Sequence, residues 1–116
     1  MNTIVDWARA YKHGWTQDRF FQGNFRNEDH TAFCFLGYGM TLPTWGMGDI
    51  LGQNAFFNEV EKKLIGRGFP ECQTIIANVN DGDNGYEILM DVIDEILVEN
   101  MPKEVQAAPT RELAYA

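Results

Sequence analysis

The sequence predicts a mainly α-helical fold: one compact, single-domain bundle of about four helices over residues 1–100, with a tail at 101–116. Three observations carry that prediction. Apolar side chains recur at helical spacing in separate segments near 3–13, 53–65 and 86–99. Gly14 and Gly66 stand where the first two of those periods stop, as helix C-termini favour. The chain has 116 residues, 45% of them hydrophobic, which is enough for one core without disulfides or a metal. A small β-element in 15–30 or 72–79 would make the fold α+β, and on sequence alone that alternative stays open.

Ile4, Trp7, Ala8 and Tyr11 fall on one helix face, with Asn2 or Thr3 as N-cap and Gly14 just past the last periodic residue. The aromatic stretch 15–25 has no period and reads as either a short hairpin or an irregular wrap. Ala32, Phe33, Cys34, Phe35 and Leu36 form an apolar run expected as a buried helix near 31–38, although so short a run also suits a strand. Residues 40–52, with Gly46, Gly48 and Gly52 among Pro43, Trp45 and Met47, read as a loop, the kind of segment in which function concentrates. Phe56, Phe57, Val60, Leu64 and Ile65 restore a helical period over 53–65. After Phe69-Pro70, a second short apolar run at 74–79 ends in Asn80-Asp81-Gly82-Asp83-Asn84-Gly85, a turn followed by a helix N-cap. Leu89, Val92, Ile93, Ile96 and Leu97 give the last helix, 86–99, its apolar face. Pro102, Pro109 and several alanines leave the tail little core material.

Composition excludes several classes. No stretch approaches the length of a membrane span, and the N-terminus lacks the cationic start and apolar run of a signal peptide, so a cytoplasmic protein without membrane contact is expected. Cys34 and Cys72 are too few for a disulfide framework; reduced thiols are expected, and one bridge between them is left open. Nine Lys+Arg stand against 17 Asp+Glu, a net charge of −8, and the imbalance is one-sided: residues 1–70 are neutral, whereas 71–116 carry ten acidic and two basic side chains. Nucleic acid is therefore a poor direct partner, and a basic protein surface or a cation a better one.

That charge defines the first candidate site. Glu87, Asp91, Glu95 and Glu99 follow one another at i,i+4 with Asp94 beside them; each like-charge pair costs roughly 0.2–0.5 kcal/mol, and no Lys or Arg relieves it. Such a stripe is either a solvated face or a surface that captures a basic partner. The second set comprises ligand and loop candidates: Trp15, Gln17, Trp45, Met47, Asn80, Asp81 and Asp83. The stretches 15–25 and 40–47 hold more large apolar side chains than a small core needs, which suits an exposed patch or pocket. Asp81 and Asp83 resemble the start of a calcium loop, but Gly82 takes the third ligand position and Asp91 the twelfth. A turn whose Asn and Asp side chains bond local backbone amides is the expected alternative.

Catalytic chemistry has little support. His13, His30, Cys34 and Cys72 show no paired metal-ligand spacing. His30 and Cys34 would share a helix face if the helix began early, but a nucleophile needs an orienting carboxylate, and Asp29 is merely near in sequence. No nucleophile elbow, phosphate loop or dinucleotide fingerprint occurs. No catalytic residue, metal or cofactor is expected.

Gly14-Trp15-Thr16-Gln17, Cys34-Phe35-Leu36-Gly37 and Ile75-Ile76-Ala77-Asn78-Val79-Asn80-Asp81, read together, resemble an uncharacterised family of small proteins from actinobacteria and their phages. That family shows a Gly-Trp-x-Gln start, a Cys-Leu-x-Gly helix and a Trp-Asn-Asp signature before its last helix. The similarity spans about 7–99; Val79 stands where the family has Trp, and the Gly-rich block 37–52 departs from it. The resemblance implies a helical domain of phage or bacterial origin and brings no activity with it. The function expected is a non-enzymatic, small acidic binding protein, a phage- or mobile-element-like accessory or inhibitor acting on a host protein or small ligand. The alternatives are a small enzyme using Cys34 with His30 or Asp81 and Asp83 with a metal, and a structural component of a phage particle.

Overall fold

Thr3 starts the first helix, α1 (Ile4–Gly14), by accepting the Asp6 N–H on its hydroxyl at 3.1 Å, which satisfies one of the amides a helix start leaves free. The structure, a computed structural model, describes residues 3–100, apart from the side chain of Met47. The tail at 101–116 lies outside the described residues. Four further helices follow: α2 (Phe35–Met40), α3 (Ile50–Gly66), α4 (Ile75–Asn80) and α5 (Gly85–Glu99), with 3-10 turns at Gln17–Arg19 and Gly46–Gly48. Among the described residues there is no strand, so the fold is mainly α, with five helices in place of about four.

Helix α1 packs on α5 and α3 through Trp7, Ala8 and Tyr11, all fully buried. The Trp7 ring lies 6.0 Å from Phe56, and the Tyr11 ring stacks on Phe35 at 4.4 Å while its hydroxyl donates to the Phe35 carbonyl at 2.6 Å. Burying such aromatic side chains contributes roughly 1.5–3 kcal/mol each, and ring pairs in these geometries about 0.5–1.5 kcal/mol more. Helix α5 supplies Leu89, Val92, Ile93 and Ile96 to the same core, with Leu97 at its edge.

One open alternative is decided and two expectations are corrected. The segment 15–30 is an irregular wrap, not a hairpin: Phe33 alone bridges two neighbours, its N–H donating to Arg19 O at 2.7 Å and its carbonyl accepting from Phe21 N–H at 3.0 Å, while Arg26 bridges it from the other side. The helix expected at 31–38 begins only at Phe35. Residues 33 and 34 are extended because their amides are bonded to the wrap, and the Cys34 thiol then caps α2 by accepting from Gly37 N–H at 3.2 Å. Helix α3 starts three residues before the 53–65 period, within the expected loop, because Asp49 caps it: one carboxylate oxygen accepts Gly52 N–H at 3.2 Å and the other accepts the Trp7 indole N–H at 3.0 Å. The first helical residues are solvent-facing, Leu51 being 81% exposed, so no apolar period announces them.

The run at 74–79 is helical from Ile75 on, which decides against the β alternative there. Ile75 and Val79, four apart, point into the core, and the turn continues through Asp81 N–H to Ala77 O at 3.0 Å.

A candidate ligand cleft between α2, α3 and α4

Adjacent apolar pairs generate the cleft. In Phe35-Leu36, Phe56-Phe57 and Ile75-Ile76 the first residue is buried in the core and the second is only partly buried. Successive residues on a helix are about 100° apart, so a doublet serves two faces. The second members, Leu36, Phe57 and Ile76, face one another across a cleft of about 340 Å³, with Phe25 and Trp45 completing its apolar lining. Gln53, Asn54, Gln73 and Thr74 supply polar groups, and Glu61 the one charge. That volume lies at the lower end of small-molecule sites and suits a ring or one or two side chains rather than a large cofactor.

The cleft is held open by fixed backbone. Asn80 is 1% exposed; its amide oxygen accepts Phe35 N–H at 2.9 Å and its amide nitrogen donates to Phe21 O at 3.0 Å, tying α4 to the start of α2 and to the wrap. Beside it, Asp81 accepts Gly23 N–H at 3.0 Å, and Gln22 donates to the carbonyls of Asn80 and Gly82, each at 3.1 Å. Gly37 completes the arrangement: the Phe25 carbonyl sits where a Cβ would project, so only glycine lets the wrap close on α2. Phe25 is thereby placed with its ring half exposed, 50%, at the mouth of the cleft. On the far side Gly46 N–H donates to Gln53 Oε1 at 2.7 Å, and the Trp45 ring meets Phe57 edge-on at 6.0 Å.

Of the ligand and loop candidates, Trp45 and Asn80 line the cleft, and Asp81 lines a depression continuous with it. Trp15 does not: it is 0% exposed, its indole N–H donates to Phe33 O at 2.9 Å, and it belongs to the core. Gln17 is exposed on a 3-10 turn and lines none of these depressions, and Asp83 borders a separate hollow with Pro70 and Ile88. Met47 lies on the second 3-10 turn, its side chain outside the described residues. The local turn expected of the Asn/Asp side chains is corrected as well: Asn80 and Asp81 bond the distant segments at 21–23 and 35.

Cys34 borders the cleft, but the pairing with His30 is not built. Neither residue lies within a helix; His30 sits exposed in a turn with φ +58°, and Cys34 is the α2 N-cap. Burial pushes the Cys34 thiol up, more than the Gly37 and Leu36 amides pull it down, so it stays protonated at neutral pH. Among the described residues no three His, Cys, Asp or Glu side chains are gathered as a metal site would need, Asp81 and Asp83 included.

The stripe on α5 is relieved from neighbouring helices, contrary to expectation. Asp94 meets Lys12 of α1 at 2.8 Å; Glu95 meets Arg67 at 2.9 Å and Lys63 at 3.3 Å; Glu99 meets Lys63 at 2.7 Å. The Arg67 hydrogen bond holds the Glu95 carboxyl below its ordinary range. Burial works against the Lys63 ammonium, whose side chain is 11% exposed, yet Glu99 and Glu95 outweigh it and raise its pKa. Glu87 and Asp91 remain exposed without an ion pair among the described residues.

No protein-family model matches the chain, and no curated protein or solved structure matches it either. Among the described residues no helix is long and apolar enough to cross a membrane.

Proposed function

We propose that the protein is a non-enzymatic binding protein, a phage- or mobile-element-like accessory or inhibitor working in the bacterial cytoplasm, which takes an apolar group of a host protein or small ligand into the α2–α3–α4 cleft. The observation that carries this is the cleft itself: five partly exposed apolar side chains turned toward one space, with uncharged amides and the Glu61 carboxylate around it and a backbone fixed by Asn80. Apolar surface kept from collapsing into the core is what a recognition site needs. The ion pairs of Asp94, Glu95 and Glu99 favour the cleft over α5, because three of its five acids already have partners within the chain. The raised thiol of Cys34, already engaged as a cap, favours binding over nucleophilic chemistry.

The test is affinity capture from host lysate with the parent, an Ala77→Trp variant and a Glu87→Lys/Asp91→Lys variant, with the native mass of each bait measured alongside. Ala77 is exposed on α4 and borders the cleft, so tryptophan there fills the space without disturbing the core. A partner or extra mass kept by the α5 variant and lost from Ala77→Trp supports the proposal. A partner lost only on α5 charge reversal places recognition on the acidic stripe and overturns it.

A further inference from the structure

We propose that the occupant of the cleft is a short extended peptide segment of a partner, an apolar anchor residue flanked by Lys or Arg; this rests on the cleft reading above and adds the chemistry of what fits. The cleft is the middle of a longer furrow. It shares Glu61 and Gln73 with a hollow that also contains Glu71, and it shares Phe25, Cys34, Ala77 and Asn80 with the depression that contains Asp81. The furrow therefore follows α4 from Glu71 to Asp81, with its apolar section in the middle.

Every charged group lining that furrow is a carboxylate: Glu61 and Glu71 at one end and Asp81 at the other. Among the described residues no ion pair engages them. Lys12, Lys63 and Arg67 are paired with acids of α5, Arg9 with Asp6; Arg19 lies over the rings of Phe33 and Tyr38; Lys62 is exposed with no ion pair among the described residues, and Arg26 lines a neighbouring depression that meets the furrow at Asn24 and Phe25 without pairing to Asp81. An apolar middle whose negative ends have no ion pair among the described residues is complementary to an apolar residue between cations. The six residues of α4 span about 9 Å, and an extended chain advances about 3.3 Å per residue, so roughly three residues cover the helix and one more at each end reaches the carboxylates. Asn54, Gln73 and Thr74 along the furrow offer amide and hydroxyl groups to the backbone of such a segment.

The test selects a random dodecapeptide library on the immobilised full-length protein, in parallel with Ala77→Trp and with Glu61→Gln/Glu71→Gln. The expected result is enrichment of sequences carrying Lys or Arg within a few residues of a Leu, Met or aromatic residue. Individual peptides should bind Glu61→Gln/Glu71→Gln about tenfold more weakly, a difference that 0.5 M salt reduces, and should not bind Ala77→Trp. Enriched apolar peptides without cations that are lost on Ala77→Trp would overturn the charged occupant and leave the cleft reading standing. Peptides indifferent to Ala77→Trp would overturn both. A tightly held small molecule that keeps all peptides off, or a library with no enriched sequence, would overturn the peptide occupant alone.

Discussion

Asn80 links sequence to site more directly than any other residue. It is the one buried polar side chain among the described residues, and it joins three segments that carry the cleft. Replacing it with alanine leaves the Phe35 N–H and the Phe21 carbonyl without partners, which should cost about 2–3 kcal/mol in urea denaturation. A loss under about 0.5 kcal/mol, the scale of an ordinary surface substitution, would refute its role. Cys34 and Cys72 give a second residue-scale expectation. Cys72 is exposed and should react with a thiol reagent at neutral pH many times faster than Cys34, which is partly buried, raised by burial and bonded to Gly37 N–H. Equal rates, followed by absorbance, would show that Cys34 is activated after all. At this scale the sequence was partly legible. It singled out Asn80 and Trp45, but a tryptophan in a core and one in a cleft look alike in composition, and Trp15 proved to be the former.

At the scale of elements, the periods of α1, α3 and α5 were readable because each buries residues three and four apart. What sequence reading lost was the start of α3, set by Asp49, and the helicity of 75–80, too short for a period. The doublets Phe35-Leu36, Phe56-Phe57 and Ile75-Ile76 were the available signal for the cleft: one apolar residue more than each helix needs for its core face. The seam between α3 and α5 carries a separate prediction. Lys63 lies among Glu59, Glu95 and Glu99, so Lys63→Gln removes three ion pairs and leaves their acids facing one another; a loss of about 1–2 kcal/mol at pH 7 is expected. The pH dependence follows from the shifts. Glu95 is lowered, so its contribution is present above the ordinary glutamate range and lost as pH falls through the depressed value; Lys63 is raised, so its contribution is present below the ordinary lysine value and lost as pH rises past the raised one. The gap between parent and Lys63→Gln should therefore narrow in acid and again in strong alkali, as thermal melts would record. A gap constant with pH would mean that the cost is one of packing.

At the scale of the whole molecule, the net charge of −8 was visible at once, but its distribution in space was not. Reading α5 alone leaves five uncompensated acids, whereas folding brings Lys12, Lys63 and Arg67 to three of them. Compensation across helices is set by tertiary contact and cannot be counted along the chain. The acids that line the furrow along α4, Glu61, Glu71 and Asp81, lie instead on three different segments. The space between Leu36, Phe57 and Ile76, proposed above as a binding site, would otherwise be an imperfection of packing. Titration with Nile red, an uncharged aromatic dye whose emission rises in apolar surroundings, distinguishes the two most directly when run on the parent, Ala77→Trp and Glu87→Lys/Asp91→Lys. Saturable binding is expected to the parent and to the α5 variant alike, weakened about tenfold or more in Ala77→Trp at unchanged melting temperature. Equal binding by the parent and Ala77→Trp, or none by the parent, would contradict the proposed site.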